Sequence, residues 1–109
     1  MSTIIERPHA DADDADPRVA RIRLDGDLDA RSVQDLRNEL DAVLRDGGVA
    51  TVIIDLGLVR FVDSSGLGAL IEARTHADVT GTRLLLSNPA NQLRRLMDIT
   101  GAEDMFDWA

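Results

Sequence analysis

Residues 51–68 read Thr51-Val-Ile-Ile-Asp55-Leu-Gly57-Leu-Val-Arg60-Phe61-Val-Asp63-Ser64-Ser65-Gly66-Leu67-Gly68. The run from Thr51 to Asp55 is apolar almost without interruption and rich in β-branched residues. That pattern marks a strand buried on both faces, as in a parallel sheet covered by helices. A loop through Gly57 and Phe61 follows. Asp63-Ser-Ser-Gly-Leu-Gly68 then opens a helix, and Leu67, Leu70, Ile71 and Arg74 keep a helical period to about His76. Strand, loop and helix in that order form the repeating unit of an α/β domain.

The flanking segments extend the same alternation. Upstream, Thr3–Ile5 reads as an edge strand ended by Pro8, and Ala10–Pro17 as an acidic turn. Val19-Ala-Arg-Ile-Arg-Leu24 alternates apolar and charged residues, the signature of a half-buried strand, and Asp25-Gly26-Asp27 turns the chain away. Val33, Leu36, Leu40, Val43 and Leu44 line one face of a helix. Ser32 with Asp35 resembles a capping box, Asp29 is a second capping candidate, and Gly47-Gly48 stops the helix. Downstream, Gly81 closes the unit and Arg83–Ser87 is a further strand. Asn88-Pro89-Ala-Asn91 opens a third helix with Leu93, Leu96 and Met97 inside. Gly101 ends it, and Glu103–Trp108 makes a short turn with a last edge strand. The order β-β-α-β-α-β-α predicts one α/β domain over residues 1–109: a small, mainly parallel sheet with an N-terminal hairpin and helices packed on it.

Composition excludes several classes of function. The chain has no cysteine, so disulfides, Cys-ligated metals and thiol nucleophiles are out. Twenty acidic residues oppose twelve basic ones, a net charge of −8, which disfavours nucleic acid and an acidic membrane surface as partners. No apolar run reaches the roughly 18 residues of a membrane span. The acidic N-terminal stretch lacks a signal-peptide core, so a cytoplasmic location is expected. Every basic residue is arginine, which removes Schiff-base and P-loop lysines; the two histidines, His9 and His76, read as surface residues.

In an open α/β sheet, function concentrates where strands end and helices begin. Val62-Asp-Ser-Ser-Gly-Leu-Gly68 is the most unusual such junction here. Ser64 is placed at about the N-cap, where the free N–H groups and helix dipole favour negative charge by roughly 0.3–1 kcal/mol when exposed. A phosphate on Ser64 is therefore compatible with the helix. Gly66 and Gly68 are poor helix formers, and two in a first turn imply close backbone approach. A plain cap and turn is the simpler reading of the same residues. The esterase elbow fails, because neither serine has glycine two places before it as well as two after. Ile71 stands where a dinucleotide fingerprint needs its third glycine. The acidic run Asp11, Asp13, Asp14, Asp16 lacks the glycine and glutamate of a calcium loop, so neither metal nor cofactor is expected.

Four segments resemble the STAS-domain anti-sigma-factor antagonists, also called anti-anti-sigma factors. Leu24-Asp-Gly-Asp-Leu-Asp29 is similar to that family's strand end. Val52-Ile-Ile-Asp-Leu56 followed by Phe61-Val-Asp-Ser-Ser-Gly-Leu-Gly68 is similar to its central strand and phosphorylation loop. Leu84-Leu-Leu-Ser-Asn-Pro89 and Leu93–Gly101 with Met105-Phe106 are similar to its later strand and terminal helix. The likeness spans about Ile4 to Phe106. It implies a non-enzymatic partner-switching module, whose unphosphorylated form binds an anti-sigma factor that is also a GHKL-type serine/threonine kinase and so frees a sigma factor. The kinase would phosphorylate Ser64, with Ser65 the second candidate, and a metal-dependent serine phosphatase would reset it. The implied partner-binding residues are Asp27, Asp29, Asp63, Ser64, Ser65, Gly66, Leu67 and Gly68. The competing implication is a STAS docking subunit of another signalling or lipid-transport assembly, without phosphoregulation. A serine enzyme is the weakest reading, since no histidine is placed to activate Ser64.

Overall fold

Alternation in the second strand sets the inner face of the sheet: Ala20, Ile22, Leu24, Gly26 and Leu28 are all buried. The computed structural model describes residues 2–6 by their backbone alone, 18–45 and 47–109. Its elements are β1 (Ser2–Glu6), β2 (Val19–Leu28), α1 (Val33–Arg45), β3 (Thr51–Val62), α2 (Ser64–Val79), β4 (Arg83–Ser87) and α3 (Asn91–Thr100). A 3-10 turn (Ala102–Met105) and β5 (Asp107–Trp108) follow. The five strands lie in sequence order, β1-β2-β3-β4-β5. β1 is antiparallel to β2, and β2 to β5 run parallel. This is the mainly parallel α/β sheet expected. Pro8, His9 and the acidic stretch Ala10–Pro17 lie outside the described residues.

The buried apolar residues form one cluster. It joins the inner face of the sheet to Leu36, Leu40 and Val43 of α1, Leu67, Leu70 and Ala73 of α2, and Leu93 and Met97 of α3. Each fully buried Leu or Ile contributes about 1.5–3 kcal/mol by leaving water. Ile53 is buried but stands outside that cluster. In register it is flanked by exposed Arg21 on β2 and half-buried Leu85 on β4. The central strand is therefore under helices on one face, and only shielded by its neighbours on the other. Burial on both faces, as the apolar run implies, holds at Ile53, while the packed cluster of helices and sheet lies on one face alone.

Two segments expected as loops are strand. Asp25-Gly26-Asp27 continues β2, with Gly26 at φ 111, a left-handed value that glycine tolerates. Gly57 to Val62 continues β3. The cause is in the pairing. Arg23 faces Asp55 but Asp25 faces Leu58, and Gly26 faces Val59 but Asp27 faces Phe61. Each step adds one residue to β3, which makes two bulges. The inward residues of β3 accordingly run Val52, Ile54, Leu56, then Val59 and Val62. Spacing changes from two to three at the bulges, a rhythm that belongs to neither a flat strand nor a helix.

β4 covers only Thr51–Asp55 of β3, and among the described residues no strand pairs with the far half of β3 on that side. Gln92 of α3 caps it instead. Its side-chain amide accepts from the Val62 N–H (3.2 Å) and donates to the Val62 carbonyl (3.2 Å). Gln92→Ala should cost about 1 kcal/mol in chemical denaturation. It should also speed hydrogen exchange at the Val62 amide while leaving that of Ile54 unchanged; equal protection at Val62 in the variant would mean the edge is held by other contacts.

Candidate functional site

β2 and β3 end side by side, with Leu28 opposite Val62. The Leu28 carbonyl accepts from the Asp63 N–H at 3.3 Å, which carries the ladder one residue past the strands. The chain then turns into α2. Asp63 is the N-cap: its backbone is extended, and Oδ1 accepts from the Gly66 N–H at 2.9 Å. Ser64 is thus the first helical residue and not the cap expected from the sequence. An aspartate caps as well as a serine does, and a cap identified by residue type alone is uncertain by one position wherever Asp and Ser adjoin. The amides of Ser64 and Ser65 lie before the first intrahelical bond, which runs from the Leu67 N–H to the Asp63 carbonyl.

Both serines are exposed, and neither hydroxyl is spent on a cap. Gly66 and Leu67 face the other way. A Cβ on Gly66 would overlap the Leu28 carbonyl oxygen and lie 2.9 Å from the Leu28 carbonyl carbon. The close approach expected of these glycines is therefore internal at Gly66, between α2 and the end of β2. Gly68 differs: it is exposed, and nothing lies within 4 Å of a Cβ built there. Leu67 packs into the core. Of the expected partner-binding residues, it is the one whose side chain points into the core. Gly66 is likewise buried and serves the fold.

The aspartates divide in the same way. Asp27 is exposed, opposite Phe61 at the end of the sheet. Asp29 is bound into the β2–α1 turn. Its Oδ1 accepts from the Arg31 N–H at 3.0 Å, and its Oδ2 lies 3.4 Å from the Arg31 guanidinium. Burial raises the Asp29 carboxyl, but the Arg31 backbone N–H and guanidinium and the Ser32 N–H outweigh it, leaving the group below its ordinary value. The turn thus gains stability that is present above the unfolded value near 3.8 and is lost as the pH falls through the lower native one. Ser32 is buried and looks backward: its Oγ accepts from the Asp29 N–H at 3.0 Å and donates to the Asp27 carbonyl at 2.8 Å. The capping-box reading with Asp35 gives way to this backward lock. α1 keeps the expected face and ends at Arg45, ahead of Gly47.

His76 lies twelve residues beyond Ser64 on α2, about 18 Å away at 1.5 Å per residue. It faces Asp41 of α1 at 3.4 Å, and Arg37 bonds Glu72 across the same helix pair at 2.7 Å. Both pairs are exposed links between helices, remote from the serine turn. Sequence reasoning passed over Phe61 and Leu58, large apolar residues each about half exposed beside this turn. The bulges that turn them outward leave no signal in residue type. Among the described residues no group of three or more acidic, histidine or cysteine side chains is arranged to hold a metal, and no helix is long and apolar enough to cross a membrane.

This turn and sheet place the chain in a known class. A family model described as "Mlab, STAS domain" matches residues 12–107, and the chain belongs to the STAS-domain family. It is 32% identical over 80 residues to the anti-sigma F factor antagonist of Lysinibacillus sphaericus, covering 73% of this chain and 68% of that one. It is 33% identical over 87 residues to the anti-sigma-B factor antagonist of Bacillus subtilis strain 168, covering 80% and 78%. The solved structure of the Bacillus cell fate determinant SpoIIAA in its phosphorylated form shares the fold at a TM-score of 0.69 and 24% identity, over 99% of this chain and 91% of the other.

Two glycine substitutions separate the roles of the turn. Gly66→Ala should destabilise by at least about 1–3 kcal/mol, since backbone must move to admit the methyl. Gly68→Ala, in open space within the helix, should stabilise by up to about 1 kcal/mol. Urea midpoints check both, and matching shifts of the same sign would disprove the division.

Proposed function

We propose that this chain is an anti-sigma factor antagonist, switched off by phosphorylation at Ser64. In this reading the unphosphorylated form binds an anti-sigma factor with GHKL-type serine kinase activity and releases a sigma factor. A metal-dependent serine phosphatase restores the binding form. The observation that carries the proposal is the exposed Ser64 hydroxyl at the first helical position, directly after the Asp63 cap. The names of the Lysinibacillus and Bacillus relatives support it.

The chemistry is a charge switch. A phosphoserine adds about −1.5 to −2 charge. The free amides of Ser64 and Ser65 and the dipole of a 16-residue helix stabilise that charge in the free protein. In a complex the same charge is desolvated beside Asp63 and near exposed Asp27. A thousandfold loss of affinity needs about 4 kcal/mol, which one buried, unpaired charge supplies. No rearrangement of the fold is required, because Ser64 makes no contact on which the helix cap depends. Asp27, Asp63, Ser64, Ser65 and Gly68 are the accessible members of the docking surface, and Asp29 shapes the turn beside it.

The family description names Mlab and not a sigma regulator. That keeps a second reading in view, a docking subunit of another assembly without phosphorylation. An acceptor hydroxyl free of structural duty favours the switch.

Ser64→Ala should keep binding to the cognate kinase and abolish phosphate incorporation from ATP. Ser64→Asp should weaken binding by about tenfold or more in calorimetry. Full incorporation in the alanine variant moves the acceptor to Ser65. Unchanged affinity in the aspartate variant removes the charge switch, and binding without any phosphotransfer selects the docking-subunit reading.

A further inference from the structure

We propose that the cleft at the carboxyl ends of β4 and β5 is a binding site for a small zwitterion, an α-amino acid with an apolar side chain. The cleft lies between the end of β4, the middle of α3, the 3-10 turn and β5. Its volume is about 320 Å³, which is the share of roughly ten water molecules in the liquid. Half-buried Pro89 and Trp108 give it an apolar side, and Met97 is buried beneath them in the core. The Trp108 ring is fixed from two directions. It packs edge-on against Phe106 at 6.4 Å between centroids, and its indole N–H donates to the Glu103 carbonyl at 3.4 Å.

Arg94 and Glu103 bring opposite charges to the same cleft. Among the described residues neither side chain has an ion pair or hydrogen bond, with the other or with any third group. Ser87 lines the cleft as well. Beside it Asn88 holds a left-handed backbone, φ 53, a conformation rare outside glycine that Asn tolerates. Its amide reaches the Asp55 carboxylate at 3.4 Å, which fixes the rim of the cleft against β3.

Charge selects the occupant. A simple anion at Arg94 would meet Glu103 and a chain of net charge −8. A simple cation at Glu103 would meet Arg94. A neutral apolar molecule would satisfy neither. A zwitterion answers both, with its carboxylate on the Arg94 guanidinium, its ammonium on the Glu103 carboxylate and its side chain along Pro89 and Trp108. Arginine suits a carboxylate because its fork matches the two oxygens. The site lies on strands other than those that end at Ser64, and the proposal stands independently of the switch.

Trp108 is the sole tryptophan of the chain, so intrinsic fluorescence reports on the cleft directly. Titration of the whole chain with L-leucine should give a saturable change with a Kd of about 1 mM, the range of a few exposed polar contacts. N-acetyl-leucine lacks the ammonium and leucinamide lacks the carboxylate, so each should bind at least about tenfold more weakly. Arg94→Gln should abolish discrimination between leucine and leucinamide, and Glu103→Gln should abolish discrimination between leucine and N-acetyl-leucine. Both positions are exposed, so the variants should fold, as circular dichroism would check. Amide shifts in the titration should centre on residues 87–89 and 103–108. No saturable signal, equal binding of the three probes, or shifts centred elsewhere would overturn the site.

Discussion

The carbonyl of Leu28 is the joint on which the serine turn depends. It accepts the Asp63 N–H and lies against Gly66, so the end of β2, the end of β3 and the first turn of α2 meet at one peptide group. Only a residue without a Cβ fits there. The contact fixes where α2 starts and hence which residues the helix presents. Asp63 satisfies the Gly66 amide, and Ser64 and Ser65 are pushed outward because the inward positions are already filled by Gly66 and Leu67. Rigidity below the turn leaves its outer surface free to change charge without disturbing the fold.

The bulges of β3 serve the same end. A flat strand would have reached its terminus with side chains alternating in and out. Two added residues keep Leu56, Val59 and Val62 on the core while they increase the exposed share of the strand. Leu58, Arg60 and Phe61 are thereby turned outward just ahead of the serines. Bulges also suit an edge that β4 leaves uncovered, since they blunt its tendency to pair with other chains. Gln92 finishes that edge by taking up both backbone groups of Val62.

The periodic segments were legible in the sequence, and the irregular ones were not. α1 shows its buried face in Val33, Leu36, Leu40 and Val43, and the sheet order follows from alternating strands and helices. α2 was less distinct because its inner face relies on Ala69, Ala73 and Ala77, small residues that allow close packing but carry little hydrophobic signal. Its extent to Val79 beyond His76 was lost for that reason. Asp25-Gly26-Asp27 has the composition of a turn, yet burial of Gly26 and Leu28 keeps it in β2; tertiary pairing outweighed local preference. At the site, the residue types identified the turn, while the division between Ser64 outward and Leu67 inward required knowing where the cap falls.

Parallel strands explain why two unrelated surface features occur at the same end of the molecule. β2 to β5 all point one way, so every strand-to-helix connection opens at their carboxyl ends. There the chain must leave the sheet, and backbone amides, caps and polar turns gather. β3 runs on past β4 by seven residues, from Leu56 to Val62, and this stagger separates the features. The serine turn stands on the long pair β2–β3, while the cleft forms beside the short pair β4–β5, where α3 and the 3-10 turn close over strands that stop early. The Asp55–Asn88 contact marks the step between the two levels. A sheet with strands of equal length would have merged them into one surface; the stagger keeps the exposed serine turn and the cleft on the lower ledge apart.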